Sequence, residues 1–491
     1  MTATAQFGRV LRFAAGLCFV GLLIYAPLNF GSTRAGGAEF ITRGCFAATL
    51  FWCLSCVFSL RRPQVPAAVV LTVTLFFVAA LPWLAGLALA TPVSSFTQTH
   101  FARAAARWPF SIVWRTPENT VAFTLALAVS AFPLIDLART RGWALAFGLA
   151  LASAAVVVAA LALAQNYTHA TGIYWRDGGR MPGNFCGTFY HHTAAGAYFN
   201  TAWPLAVALT WLAWDRSPAT PLTVAFAVTG ALATIVLIAA HGSHVSRFPQ
   251  VAALFVSPFL LRGLKLKPLG RRAWWFAAIA VAVALLIAAA GRTADIRARW
   301  QLVFASAPIV SAPIPPAESS WPALVRDDLF IPHTSQSGWL GDRGEGWRTA
   351  LRAISDRTLT GHGPANWMGA ASQHTDDPFV RTFFQFLQFA HQDVLQFAVE
   401  WGVPAALGWW GLFAGAVVAV LRVRSWLSPL HRQVGIATAC ALTALLLQAQ
   451  LDFPFQMPAI ALNALALAAL CWAGATEIVP TPASAVPAPL S

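Results

Sequence analysis

Long apolar runs separated by short polar links make up most of this chain. The runs lie near 10–29, 43–60, 67–90, 119–137, 142–164, 192–213, 221–240, 248–262, 273–290, 403–421, 433–450 and 457–474. Each approaches the roughly 20 residues with which a helix crosses a bilayer, so the pattern predicts an all-α chain of about twelve transmembrane helices. One stretch breaks it: roughly residues 291–402 leave the membrane between the ninth and tenth runs. Its beginning, 306–322, is rich in Ser, Ala and Pro and reads as an extended lid. From Arg343 the period becomes helical, with Trp347, Leu351, Ile354 and Leu359 forming one apolar face. That spacing predicts a helix lying on the membrane surface. Gly361-His362-Gly363-Pro364 interrupts it, and Pro378 is predicted to start another helix that carries Phe383, Phe384, Leu387 and His391 toward the membrane.

Composition turns the pattern into a class. With 58% apolar and 10% charged residues and a mean hydropathy of +0.62, the chain cannot hide its apolar side chains in a water-soluble core, and a polytopic membrane protein is expected. The formal charge of +14 would suggest nucleic acid in a soluble domain. Here the basic residues gather in short links, as the positive-inside rule expects, so nucleic acid is not an expected partner. With the N-terminus in the cytoplasm, Arg61-Arg62, Arg139, Arg141, Arg216, the Lys265–Arg272 cluster, Arg422, Arg424 and Arg432 share that side. The 291–402 stretch then lies outside it. The expected organisation is 1–290 with helices one to nine, 291–402 as one large, partly helical periplasmic loop, 403–474 with helices ten to twelve, and 475–491 as a disordered cytoplasmic tail.

The first run follows a basic segment, as a signal peptide would, but it is long and lacks a small-residue cleavage site, so a retained first helix is expected. Seven cysteines, mostly inside membrane runs, form no disulfide framework, and Cys53-Leu54-Ser55-Cys56 reads as packing. Gly411 and Gly415 read as a close-packing pair. Ten of the eleven histidines, all but His431, fall on or near the outer face, a bias suited to proton transfer or anion handling.

Three separated motifs carry a resemblance. The first is Pro182 to Gly196, containing Gly187-Thr188-Phe189 and His191-His192 before a helix; the second is Ser246-Arg247. The third runs from Arg343-Gly344-Glu345-Gly346-Trp347 through Gly361-His362-Gly363 to Ala390-His391-Gln392-Asp393 and Glu400-Trp401-Gly402. In this order they resemble the O-antigen ligase and polymerase superfamily of bacterial inner-membrane glycosyltransferases, over roughly 180–450. Gln392 stands where Asn is usual, Phe248 where Gly is usual, and His191-His192 where Asn is common. The resemblance implies a type C glycosyltransferase-like fold in the inner membrane with its site facing the periplasm. It implies transfer of a glycan from a polyprenyl (undecaprenyl) diphosphate carrier to a hydroxyl of a glycan, a lipid A core or a protein.

That chemistry defines what the residues must do. A departing diphosphate gathers negative charge and needs cations, and guanidinium grips phosphate oxygens in pairs. Arg247 and Arg343 are the leading candidates, with Arg348 as a substitute. The acceptor hydroxyl must lose a proton, and a neutral imidazole can take it; His391 is the candidate base. Asp393, two residues on, cannot face His391 on one helix, so an orienting carboxylate must come from elsewhere. Asp393 and Glu400 share a helical face and are candidates for orienting the loop or binding sugar, and His192 and His362 are candidates for substrate binding or support. No cofactor and no metal is expected: His241-Gly242-Ser243-His244 lacks accompanying ligands, and the first outer loop offers only Glu39 as an acid. Within the family, polymerase and protein O-oligosaccharyltransferase are the alternatives to ligase. A membrane transporter is the alternative from another class, weakened because the spanning runs carry almost no charge.

Overall fold

The computed structural model describes residues 3–34, 36–89, 116–176, 185–215, 221–244, 247–264, 343–375, 389–423 and 429–476. Among them the protein is all-helical, with one isolated two-residue β-bridge between Cys186 and Phe189. The helices are α1 (Ala3–Leu28), α2 (Gly37–Phe58), α3 (Ala67–Leu89), α4 (Pro117–Ala138), α5 (Arg141–Tyr167), α6 (His192–Asn200), α7 (Trp203–Asp215), α8 (Pro221–His244) and α9 (Arg247–Leu264). They continue as α10 (Arg343–Asp356), α11 (Trp367–Gln373), α12 (Asp393–Trp401), α13 (Val403–Val423), α14 (Pro429–Gln448) and α15 (Pro458–Thr476). Seven described helices are long and apolar enough to cross a membrane, which makes this a membrane protein. The predicted run 273–290, the 306–322 lid, the Pro378 helix and the tail lie outside the described residues.

The sixth apolar run is not one helix, as its hydropathy suggests, but two, α6 and α7. Pro204 explains the break: it has no N–H for the carbonyl four residues back, at Asn200. Beside the break, Thr201 Oγ1 donates to the Tyr198 carbonyl at 2.6 Å and accepts Asn463 Nδ2 at 3.2 Å, tying the gap to α15.

Helix α15 sits at the centre, buried from Pro458 to Gly474. A helix surrounded on all sides needs no amphipathic stripe, and its alanines let neighbours approach. It packs on α4, α13 and α14, while α1 pairs with α2, α3 with α13, α7 with α8 and α9 with α14. The expected glycine pair does serve close packing: a Cβ on Gly411 would lie 3.2 Å from Thr72, and one on Gly415 2.9 Å from Trp472. Lipid-facing positions such as Leu71, Val78, Leu254 and Phe259 stay apolar and exposed.

One end of the bundle is pinned by an ionic knot. The fully buried Asp136 of α4 accepts Arg61 Nη1 and Nη2 at 3.0 and 2.8 Å, Trp52 Nε1 at 2.9 Å and the Gln64 N–H at 3.1 Å, and it also pairs with Arg12. A carboxylate this deep survives only because cations and donors surround it. It ties α1, α2 and α4 together.

Helix α10 begins at Arg343, as the period predicts, and it packs against the protein mainly through small residues, with Ile354 of the apolar stripe joining them. Leu351 and Leu359 are 57% and 71% exposed, whereas Gly346, Thr349, Ala350 and Ala353 are buried. Small residues let α10 lie close against α12, and with Trp367, Ala370, Ala371, Ala390 and Val399 they make a second, smaller core.

Candidate active site

Four segments meet at the end of the bundle opposite the Asp136 knot: residues 27–34, 185–193, 389–393 and 449–457. The first is a strained turn in which Phe30, Gly31 and Ser32 take φ of 52°, 62° and 59°. Gly31 suits it, since a Cβ there would sit 2.7 Å from the Phe189 ring. Thr188 of the Gly-Thr-Phe motif locks the second segment to the first by donating to the Pro27 carbonyl at 2.6 Å. Phe30 stacks on Tyr190 with centroids 5.7 Å apart. The Arg34 guanidinium lies 3.4 Å over Phe30, and its Nε donates to the Tyr190 hydroxyl at 2.6 Å.

The turn of 450–457 is held from the other side by Asp393. This fully buried carboxylate accepts the Phe455 N–H and Gln456 Nε2, both at 2.8 Å, while the Asp393 N–H donates to the Ala449 carbonyl at 2.8 Å. Gln392, where the family has Asn, caps α12 by accepting the Leu395 N–H and donates to Gln450 Oε1 at 3.0 Å. Asp393 and Gln392 thus fasten the segment before α12 to the link between α14 and α15.

His391 stands where these segments meet. It is not helical, as the sequence pattern had it, but precedes the α12 cap with φ of 52°, a left-handed conformation that histidine adopts more readily than most residues. Its Nδ1 lies 3.4 Å from Asp452 Oδ1, within ion-pair distance. Its ring meets Phe453 edge-on at 4.8 Å, and Phe453 stacks on Phe389 at 4.3 Å. The Asp452 side chain is 3% exposed and that of His391 26%, and the Nδ1 atom itself is buried. The carboxylate therefore sits beneath the imidazole, and the ring's accessible part lies away from it. The contact is an ion-pair approach rather than a hydrogen bond, and a carboxylate at that distance favours a proton on Nδ1. Asp452, absent from the motifs read in the sequence, is the carboxylate that the fold brings to His391.

The other candidates fall into two groups. His192 opens α6 and stacks on His191 at 4.7 Å; His191 caps that helix through Thr193 and lies 6.1 Å from Phe453, joining the His391 cluster. Glu400 lies deeper: its Oε2 accepts the Ala365 N–H at 3.1 Å and its Oε1 accepts Gln396 Nε2 at 3.0 Å, while Gln396 Oε1 accepts the Ala390 N–H at 2.9 Å. Glu400 and Gln396 thus couple the 361–365 loop to the residue before His391. His362 donates through Nε2 to the Ala353 carbonyl at 2.9 Å and faces Asp356 and His374. Burial holds its pKa below the usual histidine value, with the neighbouring His374 adding to the shift. Arg348 is exposed and pairs with Glu345 Oε2 at 3.2 Å. Arg247 and Arg343 are the first residues of α9 and α10, and their side chains lie outside the described residues. The start of α9 is fixed by Asn200, whose Nδ2 donates to the Pro249 carbonyl at 3.0 Å and whose Oδ1 faces His241 Nε2 at 3.0 Å. His241 is thereby engaged within the helix core.

At one end of this all-helical membrane protein a histidine–carboxylate pair, clustered histidines and a ring-stacked arginine come together. Residues 231–410 match the family model described as O-Antigen ligase, so the resemblance to the O-antigen ligase superfamily holds. No curated protein matches the chain. The matched stretch includes Arg247, Arg343 and His391 and stops short of Thr188 and Asp452. The family implies a glycosyltransferase-like enzyme of ligase or polymerase type, working on lipid-linked glycan and acceptor substrates.

Proposed function

We propose that this protein transfers a glycan from a polyprenyl-diphosphate carrier to an acceptor hydroxyl at the periplasmic face of the bacterial inner membrane, as an O-antigen ligase does. The observation that carries the reading is the His391–Asp452 pair inside the cluster of family motifs. His391 Nε2 takes the acceptor's hydroxyl proton as the oxygen bonds to the anomeric carbon of the donor sugar. The bond from that carbon to the diphosphate breaks at the same centre, and the electron pair leaves with the phosphate oxygen. Asp452 holds the imidazole in orientation and balances the charge it gains. The departing diphosphate is met by arginines: Arg247 and Arg343 from the motifs, with Arg348 in reserve, and Arg34, whose clamp between Phe30 and Tyr190 keeps the guanidinium fixed. Gln392, Asp393 and Glu400 position rather than react, because their polar atoms are spent on the backbone and side chains around them. A carboxylate-oriented histidine with phosphate-binding arginines supports glycosyl transfer over transport.

The test is transfer in membranes reconstituted with an undecaprenyl-diphosphate glycan and a lipid A core acceptor. Wild-type protein is expected to form the joined product, and His391→Ala to lose roughly 10²–10⁴-fold, the usual worth of a general base, while still inserting and binding donor. Undiminished transfer by His391→Ala would remove the assignment. Product on a second carrier-linked glycan, in place of the lipid A core, would make the enzyme a polymerase.

A further inference from the structure

Away from the His391 cluster, Asp356 at the end of α10, His362 in the Gly-His-Gly turn and His374 just after α11 bring one ligand atom each to within 4.8 Å of one another. The geometry poses an electrostatic problem. His374 Nδ1 donates to the Ala370 carbonyl at 2.7 Å, so in the neutral ring Nε2 carries a bare lone pair. That nitrogen points at Asp356 Oδ2 from 3.5 Å, and His362 Nε2 lies 3.8 Å from the same oxygen. A lone pair facing a carboxylate oxygen is repulsive unless a proton or a metal cation sits between them, and three ligand atoms gathered this closely suit the metal. Arg357 Nε also lies 3.9 Å from Asp356 Oδ2, at an exposed position.

We infer that Asp356, His362 and His374 form a binding site for a divalent transition-metal ion of the zinc class. Two imidazoles and one carboxylate are a ligand set that zinc accepts, leaving a fourth position for water. A tetrahedral zinc with bonds of about 2.0–2.2 Å sets its ligand atoms about 3.4 Å apart, close to the 3.5 and 3.8 Å found here. The His374–Ala370 hydrogen bond is the outer-sphere contact that fixes a metal-binding imidazole and aims its free nitrogen. The arrangement asks one concession: His362 Nε2 exchanges its bond to the Ala353 carbonyl for the metal, with the ring proton moving to Nδ1.

The consequence is mechanical. The metal would cross-link the end of α10, the 361–363 turn and the end of α11. That turn is joined to α12 by the His362 N–H on the Val399 carbonyl at 2.7 Å and the Gly363 N–H on the Glu400 carbonyl at 3.0 Å. It is a structural staple on the platform that presents His391.

Zinc ion alone, added to the full-length, tag-free protein in lipid nanodiscs, tests this without donor or acceptor, so the result is independent of the glycosyl-transfer reading. Equilibrium dialysis with elemental analysis is expected to show one zinc per chain. A rise in melting temperature should accompany it. His374→Ala and Asp356→Asn should weaken binding by more than about 100-fold, and His374→Cys, which restores a zinc ligand, should recover much of it. No stoichiometric zinc on the wild-type protein, or equal binding by His374→Ala and wild type, would overturn the site.

Discussion

His391 and Asp452 face each other at 3.4 Å although α13 and α14 separate them in sequence, the one preceding α12 and the other preceding α15. The link between them is electrostatic and tautomeric, so its removal should be felt in turnover more than in substrate binding. Asp452→Asn keeps the shape and removes the charge. It is expected to lower kcat by roughly 10²-fold or more, as loss of an orienting carboxylate does in histidine-based sites, with KM for the donor nearly unchanged. Asp452→Glu should recover part of the rate and restore the pH profile. A large rise in KM with kcat intact would instead mark Asp452 as part of the binding surface.

Arg34 lies over the Phe30 ring and is bonded to Tyr190 through Nε, leaving the two terminal nitrogens of its fork for a ligand. Lysine can neither stack in this way nor grip two phosphate oxygens. Arg34→Lys should therefore raise KM for the carrier-linked donor by about 10-fold, the worth of about 1.4 kcal/mol, with little change in melting temperature. Tyr190→Phe, which removes one bond but keeps the stack, should give a smaller effect of the same kind. Wild-type kinetics in Arg34→Lys would reduce the residue to an anchor for the 30–34 turn.

Much of this site was legible because its motifs are local. The Gly-His-Gly turn, the His391–Gly402 stretch and the start of α10 at Arg343 are patterns within short windows, and the described helices sit on apolar runs. What the sequence hid depends on which links meet. Asp452 lies in a short link with no motif around it, and Arg34 sits in the first loop, where it reads only as a positive charge. Neither can be joined to His391 before the segments are docked. The break between α6 and α7 was overruled by hydropathy, which sees an unbroken apolar run and not the missing N–H of Pro204. The face of α10 that packs on α12 is hidden in the sequence, because leucine and tryptophan dominate a periodicity count, whereas close contact between the helices selects glycine, threonine and alanine.

Asp136 offers a stability test far from the chemistry. Its carboxylate answers two arginines and two N–H donors at once, so Asp136→Ala leaves Arg12 and Arg61 facing each other without a counter-charge. Removing one partner of a buried ion pair costs about 3–5 kcal/mol. Since both arginines keep some access to solvent, the lower end is expected here. Thermal unfolding in detergent should show the loss, and the double variant Asp136→Ala, Arg61→Ala should be less impaired than the single one. Equal melting temperatures for wild type and Asp136→Ala would mean the knot contributes no stability.

The last prediction concerns two glycines that the active-site platform requires. Gly361 and Gly402 approach back to back: a Cβ on Gly402 would sit 2.3 Å from the Leu359 carbonyl oxygen, and one on Gly361 would sit 2.5 Å from the Gly402 nitrogen. Gly402 also has φ of 85° with ψ of 160°, a region open to essentially no other residue. Through this contact the 358–363 turn docks on α12, with the Val403 N–H on the Thr358 carbonyl at 2.8 Å. The obstructing atoms are backbone and cannot swing aside. Gly402→Ala should therefore cost about 1–3 kcal/mol in conformational strain alone, with the clash adding to it. It should expose the 358–363 turn to protease and lower transfer although the residue touches no substrate. Gly344→Ala is the matched control, because a Cβ there meets nothing within 4 Å and the residue lies in the first turn of α10; it should leave stability unchanged or raise it by up to about 1 kcal/mol. If Gly402→Ala resists proteolysis and melts like Gly344→Ala, the turn is not held on α12 by this contact, and the path from the 361–363 turn to His391 loses its mechanical basis.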